Sequence, residues 1–478
     1  MIELLEYKDR LKRCSCLIVG DSMLDEYVTG NVKNISQEAP VPIVEVYNSN
    51  YTLGGAANVA KNIHQLGAKC TLIGIIGRDL NAQFFLEKLA EEDIEWLGIS
   101  SENRVTTKKT RIIGNSHQIV RLDEETSCEL PENDENILLE TIKSKISAVD
   151  IIIISDYKKG VCTYRICESI IKIANAKNKY VIVDPKQSDW TRYNGAYLIK
   201  PNLKEFYKTV RKEDINIIQE SNSLLDIYNI TNILITRSQD GMLLINKDNV
   251  KTFRAEAKEV FDVSGAGDTV IATIAIFIAA GMNLLEAVKI SNVAAGIAVS
   301  KLGTYAVSLD EIIMAMNHSY SKKVMLKNEV ISFALKSKLC NKRVVFTNGC
   351  FDILHTGHIS LFEQAKSKGD ILIVGLNSDD SIRRLKGNNR PINNEFERAK
   401  LISALESVDA VVIFEEDTPI KLIEDILPDV LVKGADYTLD HVVGADIVIE
   451  NGGEVVLVPS VPEKSTTGII KKVQQAME

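Results

Sequence analysis

The sequence predicts two successive α/β domains, each a sheet covered by helices, with a small antiparallel lid on the first. Three observations lead there. Short apolar runs recur between helical stretches: Cys16-Leu17-Ile18-Val19, Leu72-Ile73-Gly74-Ile75-Ile76, Ile151-Ile152-Ile153-Ile154, Tyr180-Val181-Ile182-Val183 and Ile233-Leu234-Ile235. Unbroken runs of this kind suit parallel strands buried on both faces, whereas half-exposed strands alternate. The series then stops at a polar stretch, His318-Ser319-Tyr320-Ser321-Lys322-Lys323, and restarts beyond it, as 478 residues allow for two large domains.

In chain order, the first strand, Cys16-Leu17-Ile18-Val19, is followed by Gly20-Asp21-Ser22-Met23-Leu24-Asp25. Residues 28–52 depart from the pattern, because Val41-Pro42-Ile43-Val44-Glu45-Val46-Tyr47 alternates and is flanked by prolines. This segment is expected to form the lid outside the main sheet. Leu53-Gly54-Gly55-Ala56-Ala57-Asn58-Val59-Ala60 turns from strand into helix. The stretch from Val270 to Met282 is shorter than the roughly 20 residues needed to cross a bilayer, so it reads as a buried helix. A helix over Leu309–Met316 closes the first domain, residues 1–318, and 319–341 supply a linker and a leading helix. The second domain, 342–478, opens with Arg343-Val344-Val345-Phe346 and continues through runs at 371–374, 410–413, 430–432 and 455–458.

With 56 Lys+Arg against 65 Asp+Glu, net charge −9 and no basic block, the chain is not built for nucleic acid or anionic membranes. The acidic start Met1-Ile2-Glu3-Leu4-Leu5-Glu6 is unlike an export signal, and the eight cysteines lack any C-x-x-C pair. The expectation is a cytoplasmic protein with reduced thiols.

The first chemical feature is Asp262-Val263-Ser264-Gly265-Ala266-Gly267-Asp268, followed at once by an apolar helix. Small residues at a helix mouth expose backbone N–H groups, and the helix dipole favours an anion there. Asp268, one residue past the last glycine, is placed to take a proton from a hydroxyl that attacks phosphorus. A capped helix start is the plainer alternative. Gly54, Gly55 and Asn58 would let a polyol approach the backbone, and Asp21 and Asp25 after the first strand would grip its hydroxyls.

Together, Gly54-Gly55-Ala56-Ala57-Asn58 and Asp262 to Asp268 resemble the two signatures of the ribokinase family of sugar kinases. The resemblance implies a three-layer ribokinase-like domain with a sugar-covering lid that also serves as a homodimer surface. It implies Asp268 as catalytic base, Gly265, Ala266 and Gly267 as anion hole, and Asp21, Asp25, Gly54, Gly55 and Asn58 as sugar contacts. Pro201-Asn202-Leu203-Lys204-Glu205 matches the family element near Mg²⁺ and the ATP phosphates, through Asn202 and Glu205, with no direct side-chain metal ligand assigned. Thr236 to Gly241 matches its nucleotide loop. Lys108, Lys109, Arg111 and Arg121 are the cationic candidates for a distal substrate phosphate.

The second feature is Thr347-Asn348-Gly349-Cys350-Phe351-Asp352-Ile353-Leu354-His355-Thr356-Gly357-His358. Two histidines three apart at a helix start share a face, where they would stabilise charge on triphosphate oxygens. A metal pair or an exposed helix start are the alternatives, with Asp352 the one local carboxylate. The segment resembles the cytidylyltransferase-like nucleotidyltransferase family, which has a Rossmann-like α/β fold. That resemblance implies catalytic roles for His355, His358 and Lys386, the last from the basic loop Lys386 to Pro391. It places Asn348, Gly349, Lys433, Ser465, Thr466 and Thr467 on the nucleotide, with Asn377 and Asp379 nearby.

The whole chain, in this order, resembles the bifunctional heptose 7-phosphate kinase and heptose 1-phosphate adenylyltransferase family of bacterial ADP-heptose synthesis. That implies two ATP-dependent, Mg²⁺-assisted reactions on a sugar phosphate, with neither nucleic acid nor membrane as partner. Two other readings stand beside it: the same chemistries on another sugar or nucleotide, or a non-catalytic sugar-phosphate sensor.

Overall fold

The computed structural model describes residues 4–115, 117–211, 215–256, 260–301, 303–316, 323–387, 389–434 and 442–459. The chain separates into two compact units, Met1–Met316 and Asn317–Glu478.

Among the described residues, the first unit holds a nine-stranded sheet. Its order is Val250–Phe253, Met242–Ile245, Asn232–Thr236, Leu198–Ile199, Tyr180–Asp184, Ile151–Ser155, Ser15–Gly20, Lys69–Ile73 and Glu95–Trp96. The strands run parallel except around Met242–Ile245, which is antiparallel to both neighbours. Ile151 to Ile154 have no exposed surface, as expected of a strand covered on both faces. Ser15–Gly20 lies between Lys69–Ile73, which follows it, and Ile151–Ser155, reached only after the lid, so the winding reverses beside it. In open α/β sheets such a reversal leaves a ligand crevice at the carboxyl ends of the strands.

The apolar run 72–76 is not one strand. The chain leaves the main sheet at Gly74, whose carbonyl accepts from Ile99 N, and Ile75–Gly77 pairs with Ile99–Ser101 instead. The lid is a four-stranded sheet, Pro42–Gly55, Ser22–Ile35, Lys108–Gly114 and His117–Glu124 in spatial order. It is larger than the alternating 28–52 segment, because Lys108–Gly114 pairs with Ser22–Ile35 and His117–Glu124 pairs in turn with Lys108–Gly114. The apolar helix occupies Ala266–Ala279, with Asp268 to Ile278 buried. It packs on the helices Ala56–Gln65 and Leu284–Ala298.

The second unit carries a five-stranded parallel sheet: Ala410–Phe414, Ile371–Asn377, Val344–Gly349, Val430–Gly434 and Glu454–Val458. One face packs Val344, Phe346 and Ile373 under the helix Lys327–Leu339, through Val330 and Ala334. The opposite face packs Val345, Leu372 and Val374 with Phe362 and Ala399. Three layers result, and the winding reverses between Val344–Gly349 and its neighbour Val430–Gly434.

Candidate functional site

The first site is assembled from strand ends. Gly265 adopts φ +77°, and the helix Ala266–Ala279 starts immediately after it. A Cβ at Gly265 would fall 2.8 Å from Asn58 Nδ2, so only glycine lets the helix mouth approach that amide. Asp262 shapes the turn by accepting from Ser264 N at 2.8 Å and Gly303 N at 3.0 Å. The first-turn N–H groups of the helix have no intrahelical partner, which makes this mouth an anion cradle.

Asp268 is buried in that first turn. Asn58 Nδ2 donates to Oδ2 at 2.8 Å and the Tyr157 hydroxyl donates to Oδ1 at 2.6 Å. Burial pushes its carboxyl up to about 6, while the Tyr157 and Asn58 hydrogen bonds pull it down, Asp184 raises it and Lys200 lowers it. Asn58 therefore has a different partner from the sugar hydroxyls expected of it: it is fully buried and braces the carboxylate, with its carbonyl accepting from Asn62 Nδ2.

Asp21 and Asp25 divide the work expected of both. Asp21 accepts from the backbone N–H of Tyr157, Lys159 and Val161 at 2.8–3.0 Å, so it anchors that loop. Asp25 is buried on the lid strand and pairs with Arg111 Nη1 at 2.7 Å. A Cβ at Gly54 would lie 2.7 Å from its Oδ2, which accounts for one glycine of the pair. Gly55, at φ +57°, starts the helix Ala56–Gln65.

Alternation sorts the lid cations. Lys108 pairs with Glu26 and Glu124, whereas Lys109 and Arg111 neighbour Asp25. Arg121 lies opposite Arg111 in the register and is exposed, pairing with Asp123. Lys109 is half-buried with its Nζ 5.9 Å from the Tyr157 ring centroid, and it has no ion-pair partner among the described residues.

Beside the anion cradle lie Lys200 and Asp184, neither evident from sequence. They pair at 3.0 Å, and a Cβ at Gly267 would be 3.2 Å from Lys200 Nζ. The signal for Lys200 was a lysine closing the apolar run Leu198-Ile199 at a strand end. Asn202 and Glu205 form a capping box: Asn202 Oδ1 accepts from Glu205 N and Glu205 Oε2 accepts from Asn202 N, both at 2.9 Å. Glu205 Oε1 also pairs with Lys186 at 2.7 Å. Thr236 ends its strand next to this cap, its N–H donating to Pro201 O, and Gly241 closes the following turn at φ +78°.

In the second unit His355 precedes the helix Thr356–Lys366 and stacks on His358 with ring centroids 3.8 Å apart. Burial, His355 and Lys386 push the His358 imidazole down to about 4. Its Nδ1 is buried with no hydrogen-bond partner among the described residues, and the same holds for Asn348 Oδ1. Lys433 donates to the Asn348 carbonyl at 3.0 Å, and burial pushes its ammonium down to about 8. Gly349 ends the strand Val344–Gly349, and Lys386 ends the helix Asp379–Lys386. Asp352 accepts from Ile392 N and Asn393 N and pairs with Arg390 at 2.7 Å, tying the basic loop to the histidine turn.

Arg398, which the sequence gave no reason to single out, is a hub with no exposed surface. It donates to the carbonyls of Cys350, Asn377 and Asn393 and pairs with Asp379 at 2.6 Å. Asp379 is thereby engaged internally. Ser465, Thr466 and Thr467 lie outside the described residues.

Comparison with known proteins follows the same division. Residues 15–312 match the pfkB family carbohydrate kinases and 346–472 match the cytidylyltransferase-like family. The chain is 42% identical over 473 residues to "Bifunctional protein HldE" of Pelobacter propionicus, covering 97% of each chain. The protein of the same name from Trichlorobacter lovleyi is 44% identical over 473 residues, covering 97% of this chain and 96% of the other. Among solved structures, phosphofructokinase-2 from Escherichia coli superposes on 64% of this chain and 98% of its own, with TM-score 0.55 and 18% identity. Ribokinase from Thermotoga maritima covers 63% of this chain and 99% of its own, with TM-score 0.51 and 20% identity. These two establish the likeness of fold.

Proposed function

The chain belongs to the HldE family of bifunctional proteins, and from that membership we propose how its two sites divide two reactions. It is a heptose phosphate kinase and adenylyltransferase. In the first unit Asp268 takes the proton from the anomeric hydroxyl of heptose 7-phosphate. That oxygen attacks the γ-phosphorus of ATP, ADP leaves, and heptose 1,7-bisphosphate forms. The observation that carries the reading is the ionisable carboxylate of Asp268 buried one residue from the Gly265–Gly267 anion cradle. Lys200 adds a cation beside the cradle, and closure of the lid keeps water from the γ-phosphate.

The substrate's distal phosphate meets Lys109, with Arg111 and Arg121 flanking it in register. Asn202 and Glu205, engaged with each other in the capping box and with Lys186, keep oxygen lone pairs that would hold a bound Mg²⁺ nearby. The donors are hard oxygens, which fits this ion; when bound, it neutralises charge on the transferring phosphate. The lid exposes Ile35, Val46, Tyr47 and Leu122, and it supplies the contact of a homodimer.

In the second unit the phosphate oxygen of heptose 1-phosphate, already anionic, attacks the α-phosphorus of ATP; pyrophosphate leaves and ADP-heptose forms. No base is required. His355, His358 and Lys386 stabilise charge on the triphosphate, and the orphaned Nδ1 of His358 and Oδ1 of Asn348 are the polar atoms a nucleotide would satisfy. Ser465, Thr466 and Thr467 are assigned to the same nucleotide by the family resemblance. Incubation with Mg-ATP and a panel of hexose and heptose phosphates, followed by mass spectrometry, tests the reading. A heptose bisphosphate and, from heptose 1-phosphate, a nucleotide heptose are expected. Turnover of hexose phosphates alone overturns it.

A further inference from the structure

We propose that Tyr157 is a positioning residue of the kinase reaction: its hydroxyl on Oδ1 and the Asn58 amide on Oδ2 clamp the Asp268 carboxylate in one plane toward the sugar hydroxyl. The proposal rests on the kinase reading above. Its first support is how heavily the segment 156–161 is held. Asp21 accepts three of its backbone N–H groups. Asp156 accepts from Lys158 N at 2.6 Å and from the Tyr193 hydroxyl. Arg104 Nη2 donates to the Lys159 carbonyl at 2.8 Å. Lys158 itself sits at φ +60°, a conformation that a side-chain-bearing residue keeps only when its surroundings impose it. Two buried carboxylates, a guanidinium and a strained residue thus fix the one loop whose side chain touches the base.

The second support is chemical. A carboxylate with a single donor on each oxygen cannot rotate without breaking one of them, and it retains a lone pair on each for an incoming proton. The groups facing Asp268 are Tyr157 from this loop, Asn58 from the helix Ala56–Gln65, and Asp184 and Lys200 from the two neighbouring strand ends. Lys109 reaches from the lid strand over the Tyr157 ring, its Nζ 5.9 Å from the centroid. Both hydrogen bonds favour the ionised carboxylate, so deleting the Tyr157 hydroxyl strengthens its hold on the proton.

The test is Y157F in the full chain, measuring ADP formation from heptose 7-phosphate between pH 5 and 9. Adenylyl transfer to heptose 1-phosphate serves as the control for folding. A roughly tenfold lower kcat is expected, with KM nearly unchanged and the acidic limb of the kcat/KM profile moved to higher pH. Unchanged kcat and limb overturn the proposal, as does a rise in KM alone, which would make Tyr157 a sugar contact. A faster Y157F also overturns it, since the hydroxyl would then be competing with substrate. Failure of the kinase reading looks different: the wild-type chain itself would not phosphorylate the heptose.

Discussion

A buried carboxylate at a helix mouth has two measurable signatures. D268N should lower kcat for heptose phosphorylation about a thousandfold, read as ADP release. The wild-type kinase rate should fall as pH drops through about 6, because Asp268 must be ionised to act. The same raised value acts on stability in the opposite sense. The folded chain binds this proton more tightly than the unfolded one, so stability declines as pH rises from 3.8 through about 6, by about 3 kcal/mol at most. D268N should therefore melt above wild type at pH 8, and calorimetry should show the gap narrowing toward pH 4. Lys109 belongs to the same scale: K109Q should raise KM for heptose 7-phosphate about tenfold and leave sugars without a distal phosphate unaffected. Asp268 was legible in the sequence because a helix mouth is a local feature. The division between Asp21 and Asp25 was not, because it depends on which distant groups the fold brings to each carboxylate: backbone N–H groups some 140 residues on for Asp21, and the Arg111 guanidinium for Asp25.

Elements carry the second lesson. The central strands at 16–19, 151–154, 180–183 and 233–235 were readable from their apolar runs, since burial on both faces leaves a continuous signal, whereas Lys108–Gly114 and His117–Glu124 in the lid gave none. Arg398 shows the limit most clearly. A lone arginine in a helix, it acquires meaning only when three loops converge on it. R398M should leave those carbonyls and Asp379 unpaired, destabilising the second unit by about 3–5 kcal/mol in urea unfolding while kinase turnover persists. Asn202 and Glu205 illustrate the converse: the family element was visible, and in the structure the same two residues cap a helix.

For the molecule as a whole, two independent cores and two strand-end crevices predict two separable activities. H358A should abolish formation of ADP-heptose and spare ADP release by the kinase, the mirror image of D268N. V46E with L122E should reduce the sedimentation coefficient to that of a monomer if the lid joins two copies. The loop beside Asp268 has one more implication. Asp21 grips it by peptide groups, so its shape is insulated from the identity of Lys159, whose side chain reaches out to Glu125. Evolution or a designer can thus change the charge at that position without disturbing the loop that holds Tyr157 on Asp268.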